Sequence, residues 1–116
     1  MTIPISVKNA FDASDALDRH IERHLEAIVR RRRRFVQRVD VRLSDVNGPR
    51  KGAADKVTVI EIALKPSGEI IARGESEDVY KSVASAAGRA GEALSRYADR
   101  VARKGRRAGT GRHSAA

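Results

Sequence analysis

Arg30 to Arg34 are five consecutive arginines, and no other stretch constrains the fold as strongly. Before them Leu17, Ile21, Leu25 and Ile28 recur at helical spacing, and after them Val39, Val41 and Leu43 alternate as in a strand. An α-helix turns about 100° per residue, so five residues in a row circle its axis. Arg31 and Arg32 would then fall on the side of Leu17, Ile21, Leu25 and Ile28, and a guanidinium is not buried there without a partner. A helix running to about Arg33 must therefore leave the core near Val29 and carry its last turn into solvent. Cations at that end complement the helix dipole, worth roughly 0.3–1 kcal/mol, but one or two arginines suffice for that. Five adjacent like charges repel one another and point to a polyanionic partner.

The charge of the whole chain follows the same division. Its 116 residues, enough for one domain with a modest core, carry a formal net charge of +9. Residues 1–29 sum to −2, 30–56 to +7, 57–80 to −3 and 81–116 to +7. Each positive block contains the end of an expected helix, a footprint suited to phosphate rather than a uniform solubility charge. Cysteine is absent, which removes disulfides, thiol catalysis and thiolate zinc sites. The start shows no basic leader followed by a long apolar stretch, and no apolar run approaches the roughly 20 residues that span a bilayer. A cytoplasmic chain without a membrane partner is expected.

Ile3, Ile5 and Val7 alternate with Pro4, Ser6 and Lys8, a short strand whose proline suits an edge or a strand beginning. Asn9 to Ala13 turn the chain, Ser14 is placed to cap the first helix, and Asp15 and Asp18 favour its first turn. Asp15–Arg19 and Glu26–Arg30 have the spacing of helical ion pairs. A second strand is expected over Gln37 to Ser44, with Arg38, Asp40 and Arg42 on a wet face. Asp45 to Gly52 is a loop dense in turn formers; with Arg50, Lys51 and Lys56 it makes a second basic element, against the plain alternative of a solvated loop. Gly48 and Gly52 lack the spacing and the Lys-Ser/Thr of a phosphate-binding loop. The third strand, Lys56 to Leu64, turns through Pro66-Ser-Gly68 into a fourth over Glu69 to Gly74. Ser76 is then expected to cap the second helix.

In that helix Tyr80, Val83, Ala87, Ala90, Leu94, Tyr97 and Val101 form a core stripe. Lys81, Arg89, Arg96, Arg100, Arg103 and Arg107 form a second stripe about 150° away. Such a stripe is often only a solvated face, but here Glu92 and Asp99 alone interrupt it. Gly88 and Gly91 each cost roughly 1 kcal/mol relative to alanine in a helix; close packing accounts for Gly91, and nothing in the sequence accounts for Gly88. Beyond Lys104 the Gly-, Arg- and Ala-rich residues 105–116 are expected to form a disordered basic tail on a domain of residues 1–104.

The expected fold is α+β, in the order βαβββα: a four-stranded mixed sheet with two helices on one face and the other face wet. The first two strands pair in parallel through a right-handed crossover, and strands two to four form a meander. Helices on a common face would let the two basic blocks form one surface. His20 and His24 stand one turn apart, but no third ligand accompanies them, so no metal and no cofactor is expected. No nucleophile and base pair up, and no small-molecule substrate is indicated. An enzyme using either histidine is the weaker alternative, and the chain is read as a non-enzyme. Aromatic residues number four, Phe11, Phe35, Tyr80 and Tyr97, and two of them lie on the core stripe. Base stacking on single strands is therefore not the expected mode; phosphates and shape, read by arginine forks, are.

Ser14-Asp-Ala-Leu17, Arg42-Leu-Ser-Asp-Val-Asn-Gly-Pro-Arg50, Asp55-Lys56, Ser67-Gly-Glu-Ile70 and Glu77-Asp-Val-Tyr80, in this order and spacing, resemble the ribosome hibernation-promoting factors, which include ribosome-associated inhibitor A. The resemblance covers about residues 3–104. It implies the same βαβββα fold, similar in topology to double-stranded-RNA-binding domains, and the small ribosomal subunit as partner. The chain would then silence idle ribosomes by occupying the cleft where messenger and transfer RNAs sit. Carried over by position, the RNA contacts are Arg23, Arg30, Arg31, Arg32, Arg33, Arg34, Lys56, Lys81, Arg89, Arg96 and Arg100. The basic loop adds Arg50 and Lys51, and the helix stripe adds Arg103. The chain departs from the family in its longer arginine run and in Gly88 and Gly91. Long members also carry a C-terminal dimerisation domain, for which the present residues leave no room, so a short form is expected. A general binder of structured RNA or duplex nucleic acid is the alternative reading.

Overall fold

The computed structural model describes residues 3–9, 15–45 and 56–115, the last eleven of these by backbone alone. The Ser14 cap, Phe11 and the loop bearing Arg50 and Lys51 lie outside the described residues. In chain order the elements are β1 (Ile5–Asn9), α1 (Asp15–Arg30), a 3-10 turn (Arg33–Phe35), β2 (Val36–Asp45), β3 (Lys56–Leu64), β4 (Glu69–Ser76) and α2 (Val79–Ala115). The strands form one sheet in the order β1-β2-β3-β4. β1 lies parallel to β2, and β2, β3 and β4 are mutually antiparallel. This is the expected βαβββα α+β fold.

Alternation decides the faces. Val39, Val41 and Leu43 of β2, Ile60, Ile62 and Leu64 of β3 and Ile70 and Ala72 of β4 are buried beneath the helices, with Ile5 and Val7 of β1 packed at the margin. Pro4 precedes β1 proper, and its carbonyl accepts the Val39 N–H at 3.0 Å. A proline can accept there while it has no proton to donate. The opposite face is polar but not uniformly wet. Arg38 pairs with Asp40, Arg42 with Glu61 and Arg73 with Glu75, yet Val57 on that face is 2% exposed and Ile71 is 62% exposed.

α1 differs from expectation at its end and on its face. It stops at Arg30 rather than near Arg33, and its buried row is Leu17, Ile21, Leu25 and Val29. Ile28 is only partly buried. Strict i, i+4 spacing follows a ridge inclined to the helix axis, the row a helix uses when it crosses its neighbours at an angle. Asp15–Arg19 and Glu26–Arg30 are not among the ion pairs of the described residues. Both pairs are on the exposed side, where holding two long side chains in one geometry brings little net gain.

α2 lies over β3 and β4. Its buried residues are Ser82, Val83, Ala86, Ala87, Ala90, Leu94 and Ala98. Tyr80, expected in the core stripe, is instead 44% exposed: it lies on the flank of α2 turned towards α1, where its ring meets the His20 ring edge-on at 4.9 Å. The cap also differs: Asp78, not Ser76, accepts the Tyr80 N–H at 2.9 Å through its side chain, and its carbonyl accepts the Ser82 N–H at 3.0 Å. Ser76 ends β4 and accepts the Asp78 N–H at 3.2 Å. Helix backbone continues past Lys104 to Ala115, where the sequence suggested a tail without structure. Arginine and alanine there are strong helix formers, but Gly105, Gly109 and Gly111 oppose them, so local propensity does not account for the extension.

Close contact between α2 and the sheet is set at Gly74. A Cβ there would stand 2.5 Å from the Ala86 nitrogen and 3.0 Å from the Ser85 Cβ, and would collide with the Ser82 carbonyl oxygen. Opposite Gly74 in the ladder is Thr58, whose hydroxyl meets the Ser82 hydroxyl at 2.8 Å in the interior. Ser82 Oγ donates to the Val79 carbonyl at 2.8 Å, so its single proton is committed and Thr58 is the donor of the pair. The helix–helix seam runs alongside, from His20 beside Tyr80, through Ile28 lying 3.4 Å from the Cβ position of Gly91, to Arg32 beside Ser95. The two helices therefore run in the same direction. Gly91 is the expected close approach, while Gly88 faces open space.

Candidate nucleic-acid interface

The arginine run folds as a braced turn. After α1 stops, the Arg32 N–H reaches the Val29 carbonyl at 2.9 Å and the Phe35 N–H reaches the Arg32 carbonyl at 2.8 Å. Chain reversal here is driven by Val36, which is 1% exposed and must enter the sheet beside Leu64. The Phe35 carbonyl accepts the Lys65 N–H at 2.8 Å. The Phe35 ring meets the Tyr97 ring edge-on at 6.2 Å, and the Tyr97 hydroxyl donates to the Lys65 carbonyl at 2.8 Å, with the Ser67 carbonyl at 3.2 Å. Arg32 is the partly buried member of the run, and its guanidinium donates to Ser95 Oγ of α2 at 3.2 Å. The Arg34 guanidinium sits 4.8 Å from the Phe35 ring centre, a cation–π contact that holds it flat against the surface. Arg30, Arg31, Arg33 and Arg34 are all exposed. Charge is thus displayed on a framework fixed by backbone bonds and two aromatic rings.

α2 brings further cations to the same end of the sheet. Ser95, in contact with Arg32, fixes which side of α2 faces the turn. Arg96 and Arg103 lie about 80–100° round the axis from Ser95, and Arg89 and Arg100 about 120–140°. All four are exposed. Arg96 has Glu92 at 3.9 Å, with both side chains largely in solvent, so little of its charge is neutralised. Arg89 leans the other way and donates to the Arg73 carbonyl of β4 at 3.0 Å. The two basic blocks are therefore joined at one end of the domain by the Arg32–Ser95 contact, while the arginines of α2 are turned a quarter-turn or more from that side, towards β4 in the case of Arg89. Lys65, exposed in the β3–β4 turn, adds to this end; sequence reasoning missed it because an isolated lysine beside a proline carries no pattern.

Other expected residues lie apart. Arg23 is exposed on α1, about 10 Å of helix rise before Arg30. Lys81 is exposed in the first turn of α2, about 22 Å of rise from Arg96. Lys56 is at the far end of the sheet, paired with Ser76 in the ladder, and its ammonium meets Asp45 at 3.0 Å. Nine residues of β2 separate that end from the arginine turn, about 30 Å. Lys56 is thus an ion-paired residue remote from the arginine cluster. His20 and His24 stand 5.9 Å apart, edge to face. Among the described residues no group of three or more potential ligands could hold a metal ion, and no helix is long and apolar enough to cross a membrane.

A small βαβββα domain with arginines gathered at one end of its sheet belongs to the class of α+β domains suited to a structured polyanion. The chain is a member of the family described as sigma 54 modulation protein / S30EA ribosomal protein, whose model matches residues 3–102. Membership places it among ribosome-associated modulation factors with a translation-related role rather than among enzymes. In fold it is similar to a ribosomal subunit interface protein from Coxiella burnetii, with a TM-score of 0.66 and 24% identity over 85% of this chain and 99% of that one. It is also similar to the N-terminal domain of Protein Y from Thermus thermophilus, with a TM-score of 0.62 and 21% identity over 84% and 99%. No curated protein is significantly similar in sequence.

Proposed function

We propose that this chain is a ribosome hibernation factor that binds small-subunit rRNA in the decoding-region cleft and keeps messenger and transfer RNAs out. The observation that carries the reading is the braced arginine turn, with Arg30, Arg31, Arg33 and Arg34 exposed and Arg32 tied to Ser95 of α2, in a chain of a ribosome-associated family. Guanidinium groups meet phosphate through two parallel hydrogen bonds, and groups held on a rigid turn lose less entropy on binding than a free tail would. A wedge with cations at one end inserts into a cleft walled by phosphate and blocks it by bulk, so no catalytic step is required. Arg23, Arg50, Lys51, Arg89, Arg100 and Lys81 widen the contact, and Lys56 would engage RNA only from the opposite end of the sheet. The protein acts in the cytoplasm, without cofactor, membrane or small-molecule substrate.

The experiment is co-sedimentation of the purified protein with isolated small subunits, with free duplex RNA as competitor. Retention on subunits in the presence of excess duplex, together with loss of translation in vitro, is the expected result. Release by duplex in proportion to its phosphate would instead make the protein a general binder of structured RNA.

A further inference from the structure

At the other edge of the sheet lies a cleft of about 580 Å³ between β1 and the outer flank of α1. Its floor is Ile3, Ile5 and Val29, and its wall on α1 carries Glu22, Glu26, Arg30 and, just past the helix end, Arg33. These four charged residues are exposed, and none has an ion-pair partner among the described residues. β1 is an edge strand. Its parallel register, Ile5 with Val39 and Val7 with Val41, and the bond from Val39 N–H to the Pro4 carbonyl turn the backbone groups of Pro4, Ser6 and Lys8 towards β2. Those of Ile5 and Val7 then point outward, and no partner for them occurs among the described residues. Proline commonly guards an edge by removing an outward donor, but Pro4 has its nitrogen on the β2 side, so the edge stays open.

We propose that this edge accepts an extended peptide segment as a fifth strand, of the pattern Lys/Arg-x-Φ-x-Asp/Glu, where Φ is a β-branched or aliphatic residue. An incoming strand would lie about 4.8 Å from β1, and every second side chain would face α1. Along α1, eight residues separate Glu22 from Arg30, about 12 Å. That is the distance between residues i and i+4 of a strand, about 13 Å. α1 runs antiparallel to β1, so the carboxylates stand towards Val7 and the guanidinium groups towards Ile3. An antiparallel guest therefore places its cation beside Glu22 and Glu26, its apolar residue over Ile3, Ile5 and Val29, and its carboxylate beside Arg30 and Arg33. The proposal is independent of the RNA reading, although Arg30 and Arg33 are shared with it.

The test uses the full-length protein labelled with nitrogen-15 and the blocked peptide acetyl-Thr-Lys-Thr-Val-Thr-Glu-Thr-amide. Amide shifts of Ile5 and Val7 should move on titration. The peptide with Lys and Glu exchanged should bind about tenfold more weakly, and the exchanged peptide should regain affinity for the Glu22→Lys, Glu26→Lys double variant relative to the original. Methylating the nitrogens of the guest residues that face β1 should abolish binding, while methylating the alternate ones should not. Equal binding of both peptides, shifts confined to other elements, indifference to methylation, or no binding at millimolar peptide would each overturn the proposal. So would displacement of the same β1 amides by a short single-stranded RNA but not by the peptide, which would assign the cleft to phosphate.

Discussion

Replacing three glycines by alanine, one at a time, tests the account of how α2 sits on the sheet. At Gly74 the new methyl would stand 2.5 Å from the Ala86 nitrogen and collide with the Ser82 carbonyl. Both are backbone atoms of α2, which cannot swing aside like the end of a side chain. Restoring ordinary contact requires the helix to lift by about 1 Å, a shift in the range where overpacking costs about 1–3 kcal/mol. The lift also stretches the buried Thr58–Ser82 hydrogen bond, and losing that bond in the interior adds about 1 kcal/mol or more. Gly74→Ala should thus destabilise the domain by about 3 kcal/mol, and the melting temperature should fall by well over 10 °C at 4–8 °C per kcal/mol for a domain near this size. Gly88 meets nothing within 4 Å, so Gly88→Ala should gain the helix-propensity difference, about 1 kcal/mol. Gly91 lies 3.4 Å from a methyl of Ile28, a group able to move slightly, so Gly91→Ala should nearly cancel propensity against crowding. Urea unfolding of the three variants and wild type gives the comparison. A Gly74→Ala midpoint equal to wild type, or a Gly88→Ala midpoint below it, refutes the reasoning.

Three further outcomes are expected. Ser82→Ala strands the buried Thr58 donor and should cost more than Thr58→Val, which leaves the Ser82 proton on the Val79 carbonyl; equal midpoints in denaturant would count against the assigned donor. Under the proposed function, subunit affinity should fall steeply with salt, and replacing Arg31, Arg32 and Arg33 by glutamine should lower the log–log slope by up to about 0.7–0.9 per lost phosphate contact without unfolding the domain. The matching change at Arg89, Arg96 and Arg100 should do the same; a triple variant that binds and inhibits translation like wild type at physiological salt shows that block to be a solvated face. Removing the residues after Lys104 should leave the melting temperature within about 2 °C, because the sheet ends before them and solvated helix adds little stability; a larger loss would show that the extension packs.

Local chemistry was enough to write down the element order, the sheet pairing and most of the core. Val39, Val41 and Leu43 alternate because a sheet covered on one side demands it, and the arginine run forbids a helix from continuing under the core. What the sequence could not supply was where each element stops and what it touches, since those depend on residues far along the chain. α1 ends at Arg30 because Val36 must join β2 beside Leu64. Tyr80 leaves the core because it lies on the flank of α2 turned towards α1, against the His20 ring, and the cap falls to Asp78 because β4 runs on to Ser76. The spread of the basic residues was likewise invisible: Lys56 and the arginine turn are both basic elements in the sequence, yet β2 holds them at opposite ends of the sheet. Arg32 is tied to Ser95, 63 residues away, and the edge cleft exists only because α1 crosses back over β1. Periodicity reports which face of an element is buried, whereas the neighbours that bury it are chosen by packing of the whole chain.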